Sequence, residues 1–276
     1  MEFYLSASSG CPVEDKVKEL GFNRLFSFYA DRNHLTEYYN YPDKIFLDSG
    51  AFSAVRKKIT LNIDDYCSYI NAHYKEYATI ASLDIIGTGT ECSEQNLDNF
   101  LYMKDKLVPE AFEKVIPAFH FGEDFKYLER LCKHSSYIAL GGIAPVKNTL
   151  IRDSWLKRCF EIIPKECKVH LFGVSTLELL DKYWERIYSA DSSTWYFSAI
   201  NGELLSDYGR LIVSENRGFC DKSVIKYIES RGYSFEDVST DVTARIRFNL
   251  DFLNDWLDRR EKSSNLYRGF TQISFM

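Results

Sequence analysis

Short apolar runs alternate with longer amphipathic segments from one end of the chain to the other, and this alternation restricts the fold more than any other feature. It is typical of repeated βα units, which build a parallel sheet covered by helices. Eight runs predict strands: 3–7, 25–29, 44–48, 80–86, 115–121, 137–140, 169–174 and 187–189. Residues 211–214 are a further candidate. Helical patterns lie between them: 13–20, 63–77, 94–107, 124–134, 148–163 and 177–186.

Eight parallel strands with outer helices close a barrel, so we predict an α/β protein with a (β/α)8 TIM-type barrel. An open doubly wound sheet is the alternative. The chain has 276 residues, which suits one domain because single α/β barrels contain roughly 250 residues. We therefore predict a single domain over 1–276. Its last part, 221–276, is predicted to be a C-terminal helical extension with helices at 222–229 and 242–257.

Composition and charge exclude several classes of protein. The formal net charge of −6 argues against a generally basic nucleic-acid-binding surface, so phosphate contacts would come from local patches. The seven cysteines are scattered and never in CxxC spacing, which fits reduced thiols and no disulfide framework or zinc finger. No signal peptide or membrane-spanning run is evident. We expect a cytoplasmic protein without a membrane partner.

Polar residues and glycines end the apolar runs, and the carboxyl ends of barrel strands all face one mouth. Asp48 ends the apolar segment FLD, Asp84 follows Ala81-Ser82-Leu83, Asp191 follows IYSA, and His120 ends AFH. Three carboxylates around one mouth could hold a planar polar ring by its edge, or act as acid, base or nucleophile. Taken singly, each residue also has a structural explanation as a helix cap, a turn residue or a core histidine. No HxH, HExxH or DxD cluster is present, so we predict no metal site.

Four segments, in order, resemble motifs of the tRNA-guanine transglycosylases. FLDSGAF (46–52) resembles their DSGGF segment, and SLD (82–84) before a Thr/Gly-rich loop resembles the segment of their substrate-binding aspartate. ALGGIAP (139–145) is similar to their IGGLA loop, and HLFGVSTLELL (170–180) to their LMGVGTPEDL. The resemblance covers residues 44–195. The family fold is a (β/α)8 barrel, in agreement with the strand count.

The resemblance implies a role for each matching position. Asp191 falls on the family's aspartate nucleophile, allowing for a shift of one residue, and Asp48 on its general acid/base aspartate. Asp84 corresponds to the aspartate that hydrogen-bonds the edge of guanine or a 7-deazaguanine, and His120 stands where the tRNA enzymes usually have glutamine. The other matches are residues that contact or surround the base: Ser49, Gly50, Phe52, Gly141, Gly142, Ile143, Ala144, Phe172 and Gly173.

The chain also departs from the tRNA enzymes. They carry a late Cys-x-Cys-x2-Cys…His zinc site, whereas only Cys220 follows Asp191 here, so a zinc subdomain is not expected. The zinc-free chain with DSGAFS, FHFGE and SADSSTW segments resembles instead the DpdA group. Those proteins are transglycosylases of bacteriophages and bacterial DNA-modification islands that place 7-deazaguanines in DNA. If a phage encodes this chain, we expect it in the host cytoplasm.

The resemblance therefore implies a pentosyltransferase that exchanges guanine in DNA for a free 7-deazaguanine, such as 7-cyano-7-deazaguanine, through a covalent aspartyl-sugar intermediate. The partners are then DNA and the free base, guanine is the product, and no cofactor is needed. Phosphate contacts are expected from Arg56, Lys57 and Lys58, and Trp195 is a candidate to receive or replace the extruded base. A compact tRNA-guanine transglycosylase and a non-catalytic module that binds nucleic acid or 7-deazaguanine are the alternatives. A homodimer is left open.

Overall fold

The computed structural model of the chain describes residues 1–6, 12–31, 42–87, 90–174, 176–213 and 221–273. It is an α/β fold with a nearly closed, all-parallel, barrel-like sheet, alternating helices and a long C-terminal helix. The chain divides into two compact units. The first comprises Met1–Ser9 and Phe22–Ser192, and the second Gly10–Gly21 and Ser193–Met276. The predicted helical extension at 221–276 lies within the second unit.

Nine parallel strands make up the sheet in the described part of the chain. They are β1 (Glu2–Ser6), β2 (Asn23–Ser27), β3 (Ile45–Asp48), β4 (Thr79–Ala81), β5 (Val115–Ile116), β6 (Ala118–His120), β7 (Tyr137–Gly141), β8 (Lys168–Leu171) and β9 (Ser189–Ser192). Their order is β5-β4-β3-β2-β1-β9-β8-β7-β6. Every predicted run except 211–214 thus contributes to this sheet. The prediction of repeated βα units is confirmed, but eight strands become nine.

The ninth strand arises at Pro117, which divides the predicted run 115–121 into β5 and β6. Proline has no backbone N–H and therefore interrupts a ladder of hydrogen bonds. Before it, β5 pairs with β4, and the N–H of Ser82 donates to the carbonyl of Ile116. After it, β6 pairs with β7, and the N–H of Ala139 donates to the carbonyl of Pro117. The two edge strands of the sheet are thus successive pieces of one run.

Apolar side chains of the strands fill the space enclosed by the nearly closed sheet. One buried cluster takes a residue from each of seven strands: Tyr4, Leu25, Phe46, Ala81, Ile116, Ala118 and Ala139. The rings of Tyr4 and Phe46 meet edge to face with centroids 5.5 Å apart. Full burial of one such side chain stabilises the fold by about 1.5–3 kcal/mol. The interior is therefore a packed core, as in other barrels.

Helices of the first unit connect the strands. They are α2 (Phe28–Asp31), α3 (Ala51–Arg56), α4 (Ile63–His73), α5 (Thr90–Lys106), α6 (Pro109–Phe112), α7 (Phe125–His134), α8 (Thr149–Ile162) and α9 (Leu177–Tyr183). Side-chain caps begin three of them: Asn62 for α4, Asp124 for α7 and Asn148 for α8 each accept from backbone N–H groups of the first turn. These caps are why helices start where the sequence predicted them.

The second unit is mainly helical. It contains α1 (Glu14–Glu19), α10 (Thr194–Ile200), α11 (Lys222–Ser230), α12 (Phe235–Thr240) and α13 (Val242–Ile273), with an antiparallel hairpin of β10 (Glu203–Ser206) and β11 (Gly209–Ile212). The strand candidate at 211–214 overlaps β11, which pairs with β10 in this hairpin and does not join the parallel sheet. The hairpin turn needs a positive φ at Gly209 (101°). No described helix is long and apolar enough to cross a membrane.

Candidate active site

The predicted site residues lie at the carboxyl ends of the parallel strands. Asp48, His120 and Gly141 are the last residues of β3, β6 and β7, and Asp84 follows β4 by three residues. Asp191 lies inside β9, because that strand runs from Ser189 to Ser192 and not over 187–189 as predicted. Electrostatic repulsion from both Asp84 and Asp191 acts on Asp48. The structure thus brings the three carboxylates together.

Asp84 is an acceptor held by two donors. The Ser49 hydroxyl donates to its Oδ1 at 2.8 Å, and His120 Nε2–H donates to its Oδ2 at 2.9 Å. Burial alone would raise the pKa of Asp84, but these hydrogen bonds and the charge of His120 outweigh it, so the pKa lies below its usual value. Asp84 is therefore an ionised carboxylate at neutral pH, with 10% of its side chain exposed.

His120 lies between two carboxylates. Its Nδ1–H donates to Glu123 Oε1 at 3.1 Å, and the same oxygen accepts from Asn96 Nδ2 at 3.0 Å. Burial acts to lower the pKa of His120, but the hydrogen bonds to Asp84 and Glu123 outweigh burial and raise the pKa to about 10. The imidazolium thus uses both ring N–H groups inside the protein. We predicted His120 as a contact of the base; the structure shows both of its ring nitrogens in contact with carboxylates, Asp84 and Glu123.

Glu123 and Asn96 belong to this cluster and were missed in the sequence. Glu123 lies in the FHFGE segment, where its backbone N–H donates to the His120 carbonyl at 3.1 Å and closes a tight turn. Asn96, on α5, also accepts from the N–H of Ile85 at 2.6 Å, next to Asp84. The i, i+3 spacing of His120 and Glu123 was a sequence signal for Glu123, whereas no local sequence pattern indicated Asn96.

Asp48 has the opposite environment to Asp84. Its Oδ2 accepts from the N–H of Gly50 at 3.0 Å. Burial and, to a smaller extent, repulsion from Asp84 and Asp191 together raise the pKa of Asp48 to about 7. A carboxyl group with this pKa exchanges a proton readily at neutral pH, which is what a general acid/base needs.

Asp191 is 4% exposed and is held from two sides. The Ser6 hydroxyl donates to Oδ2 at 2.7 Å, and the backbone N–H of Gly173 donates to Oδ1 at 2.9 Å. Ser6 ends β1, which pairs with β9, so strand pairing itself delivers this donor. These two hydrogen bonds hold the carboxylate in one orientation.

A second histidine lies behind Asp191. His170, on β8, is fully buried, and its Nε2 is 3.4 Å from Asp191 Oδ1. Its Nδ1 contacts Ser189 Oγ at 2.6 Å, and Ser189 Oγ contacts the Tyr137 hydroxyl at 2.6 Å. The sequence did not predict this series of contacts from Tyr137 through Ser189 to His170, although His170 precedes Phe172 by two residues and so lies on the same face of the strand.

Glycines allow the backbone to approach these groups closely. A Cβ at Gly141 would lie 3.0 Å from His120 Cδ2. Gly50 has a φ of 82°, and a Cβ there would collide with Ser27 Oγ and Tyr29 Cβ. Gly142 and Gly173 also have positive φ, 74° and 62°. Larger residues at the first two positions would displace the cluster around Asp84 and the turn after Asp48.

The other predicted residues divide into exposed and buried ones. Phe52 is 56% exposed on α3. The exposed basic residues Arg56, Lys57 and Lys58 are at the end of this helix, and the Arg56 guanidinium lies 5.7 Å from the centre of the Phe52 ring. Ile143 is buried, and Phe172 is partly buried. Ala144 is exposed beside Gly173.

Trp195 departs from its predicted place. It is on α10 in the second unit, fully buried, and its carbonyl accepts from Asn249 Nδ2 at 3.0 Å. An indole with no exposed surface cannot stack on an incoming base in this conformation. The prediction failed because a tryptophan after an aspartate has the same local pattern whether it packs inward or outward.

The arrangement can hold a planar polar ring, transfer a proton and present a carboxylate nucleophile. No group of three or more His, Cys, Asp or Glu residues in the described ranges is placed to hold a metal ion. No protein-family model matches the chain. A search of curated proteins gives no significant match either.

Proposed function

We propose that the chain is a DNA-guanine transglycosylase, which exchanges guanine in DNA for a free 7-deazaguanine through a covalent aspartyl-sugar intermediate. The observation that carries this proposal is the contrast among three adjacent carboxyl groups. Asp48 has a pKa raised to about 7, Asp84 is kept ionised by His120, and Asp191 is fixed by Ser6 and Gly173. Base exchange needs one group of each kind: a proton carrier, an acceptor for the base and a nucleophile.

In the first half of the reaction, the Asp191 carboxylate attacks the sugar anomeric carbon. The oxygen-carbon bond forms as the bond from this carbon to the guanine nitrogen breaks, and the electron pair leaves with guanine. Protonated Asp48 gives its proton to the leaving base. The products are an enzyme-DNA ester, neutral guanine and an ionised Asp48.

In the second half, the free 7-deazaguanine takes the place of guanine. Ionised Asp48 removes the proton from its reacting nitrogen, which then attacks the anomeric carbon and displaces the Asp191 carboxylate. One glycosidic bond replaces another, so the exchange needs no cofactor. A carboxyl group with a pKa near 7 can perform both proton transfers at neutral pH.

Recognition of the base is assigned to Asp84. Guanine and 7-deazaguanines present an N–H and an amino group side by side, and an ionised carboxylate is an acceptor-only group that matches this edge. The hydrogen bond from Ser49 and the ion pair with His120 hold the carboxylate in one orientation. The backbone of Gly141 and Gly142 lies close beside His120.

A nucleic-acid substrate is supported by the basic and aromatic surface at the end of α3, directly after the Asp48 turn, and the choice of DNA rests on the resemblance to the DpdA group. Arg56, Lys57 and Lys58 are suited to phosphates, and the exposed ring of Phe52 to a base. Chemistry on one nucleotide requires that it leave the stack. The proposed (β/α)8 fold follows if β5 and β6, which are separated by Pro117 alone, are counted as one strand.

The test is adduct formation. Purified protein mixed with a guanine-containing DNA oligonucleotide should give an adduct that survives denaturation, and Asp191→Asn should abolish it. Exchange of radiolabelled guanine is then measured on duplex DNA, single-stranded DNA and tRNA. Exchange on tRNA alone would overturn the DNA proposal in favour of a compact tRNA enzyme. Tight binding of the base without adduct or exchange would indicate a non-catalytic module.

A further inference from the structure

His170 is a fully buried side chain for which the base exchange described so far has no use. Three aromatic rings enclose it, with centroid distances of 4.6 Å to Phe46, 4.5 Å to Phe172 and 6.2 Å to Tyr4. Its Nδ1 contacts Ser189 Oγ, whereas its buried Nε2 has no hydrogen-bond partner in the described part of the chain and lies 3.4 Å from Asp191 Oδ1 without hydrogen-bond geometry. A buried imidazole thus places an unpartnered nitrogen beside the proposed nucleophile.

On the basis of the proposed exchange, we propose that His170 is a positioning residue that donates Nε2–H to Asp191 Oδ1 and stabilises this carboxylate relative to its ester with DNA. It would act together with the N–H of Gly173, which donates to the same oxygen. The 3.4 Å separation between Nε2 and Oδ1 leaves room for the contact to shorten when the site is occupied.

The direction of the hydrogen bond follows from the acceptors. A carboxylate can only accept, so the nitrogen that faces Asp191 carries a hydrogen. In the neutral imidazole the other nitrogen, Nδ1, then accepts from the Ser189 hydroxyl, and Ser189 Oγ accepts from the Tyr137 hydroxyl. Burial raises the pKa of Tyr137 well above its usual value, which keeps this phenol a donor. Hydrogen-bond donation therefore runs in one direction, from Tyr137 through Ser189 and His170 to Asp191.

The consequence for catalysis concerns the lifetime of the covalent intermediate. A hydrogen bond to a charged carboxylate is stronger than one to the neutral carbonyl of an ester. A donor at Oδ1 therefore favours the free carboxylate and makes Asp191 a better leaving group in the second half of the exchange. Loss of the donor should make the enzyme-DNA ester accumulate and slow its release.

Two substitutions separate this role from simple packing. The amide nitrogen of His170→Gln reaches near the place of Nε2 and keeps a donor to Asp191. The amide of His170→Asn reaches only the place of Nδ1, so it keeps the contact with Ser189 and loses the donor. The wild type and His170→Gln should show similar ratios of adduct to free enzyme with excess guanine. His170→Asn should raise this ratio about tenfold, a change typical of one charge-assisted hydrogen bond, and lower kcat with KM for the free base unchanged.

The inference is overturned if His170→Asn leaves the adduct ratio unchanged, or if both variants lose adduct and exchange to the same extent. Its failure is distinct from failure of the proposed function, in which the wild type forms no adduct at all. In that case 15N NMR of histidine-labelled protein still decides. The His170 signals, identified by their loss in His170→Asn, should show hydrogen on Nε2 and none on Nδ1, and should shift in Asp191→Asn. The opposite tautomer would overturn the inference.

Discussion

Asp48 ends β3, and Asp84 follows the neighbouring strand β4 by three residues; both are aspartates, yet their environments have opposite effects on the pKa. A cation and a hydroxyl group hold Asp84, so its pKa lies below the usual value. Burial, with repulsion from two like-charged neighbours, raises the pKa of Asp48 to about 7 against the opposing effect of its backbone donors. The comparison teaches that the neighbours of a carboxyl group, and not its residue type, decide whether it holds charge or moves protons.

Removal of the proton carrier should have the largest effect. Asp48→Asn keeps the shape of the side chain but cannot donate or take up the proton, so exchange should fall about a thousandfold. Asp84→Asn should instead mainly weaken binding of the free base, with a smaller effect on proton transfer because one of the charges that raise the pKa of Asp48 is lost. Guanine-exchange kinetics give kcat and KM for both variants. Equal effects of the two substitutions on kcat and on KM would contradict the division of roles.

Removal of the cation beside Asp84 should come next. His120→Leu leaves Asp84 and Glu123 buried without their shared partner, which should destabilise the fold by about 3 kcal/mol. Urea unfolding followed by circular dichroism measures this. The matched control is Asp84→Asn in the His120→Leu background, which removes one unpaired charge and should recover part of the loss. An unchanged unfolding midpoint in His120→Leu would show that the ion pair does not matter to stability.

The two carboxyl groups should also respond differently to pH. The folded-state pKa of Asp48, about 7, is above its unfolded value of about 4, so its contribution to stability is fully present below pH 4 and is lost as pH rises through 7. Asp84, with a lowered pKa, contributes stability above pH 4 that is lost on further acidification. The free energy of unfolding, measured between pH 4.5 and 7.5, should fall less in Asp48→Asn than in the wild type.

The smallest effect is expected from the basic residues at the end of α3, the helix that follows Asp48 in sequence. Lys58 has a φ of 56°, and its N–H and that of Ile59 donate to the carbonyls of Val55 and Ala54, so it occupies a position that favours glycine. Lys58→Gly with Lys57→Gln therefore removes two charges without strain. DNA affinity should fall several-fold, and the slope of log affinity against log salt should decrease by about two.

The control for this measurement is a pair of exposed lysines on α5, Lys104 and Lys106. Their replacement by glutamine changes the net charge by the same amount. If both pairs reduce the salt dependence equally, general charge and not the α3 surface governs binding.

Much of the fold could be predicted because strand and helix patterns are local. The ends of β3, β6 and β7 were predicted within one residue, and with them the placement of Asp48, His120 and Gly141 at one end of the sheet. The division at Pro117 was missed because an apolar run does not reveal that its two halves pair with different neighbours. The orientation of Trp195 was missed for a similar reason, since burial depends on partners such as Asn249 that are distant in sequence.

The chemistry of the candidate site was less accessible than its location. That Asp84 and Asp48 have opposite pKa shifts follows from which groups stand beside each of them, and these come from other strands and loops. His120 could be placed at the mouth from its position in the run, but its engagement by two carboxylates required the turn that brings Glu123 back to it. His170 and Ser6 likewise gain their meaning only from the pairing of β1 and β8 with β9.

The pairing of β1 with β9 has a consequence for how the protein folds. The hydrogen bond from Ser6 to Asp191 joins residues 185 positions apart in sequence. Contacts of such long range form late, because the chain between them must first be ordered. During synthesis, strand β1 has no partner on this side until β9 has emerged, and its unpaired edge is open to association with other chains. The carboxylate of Asp191 is therefore fully oriented only in chains that have completed the sheet, so adduct formation would report the correctly folded fraction of a preparation.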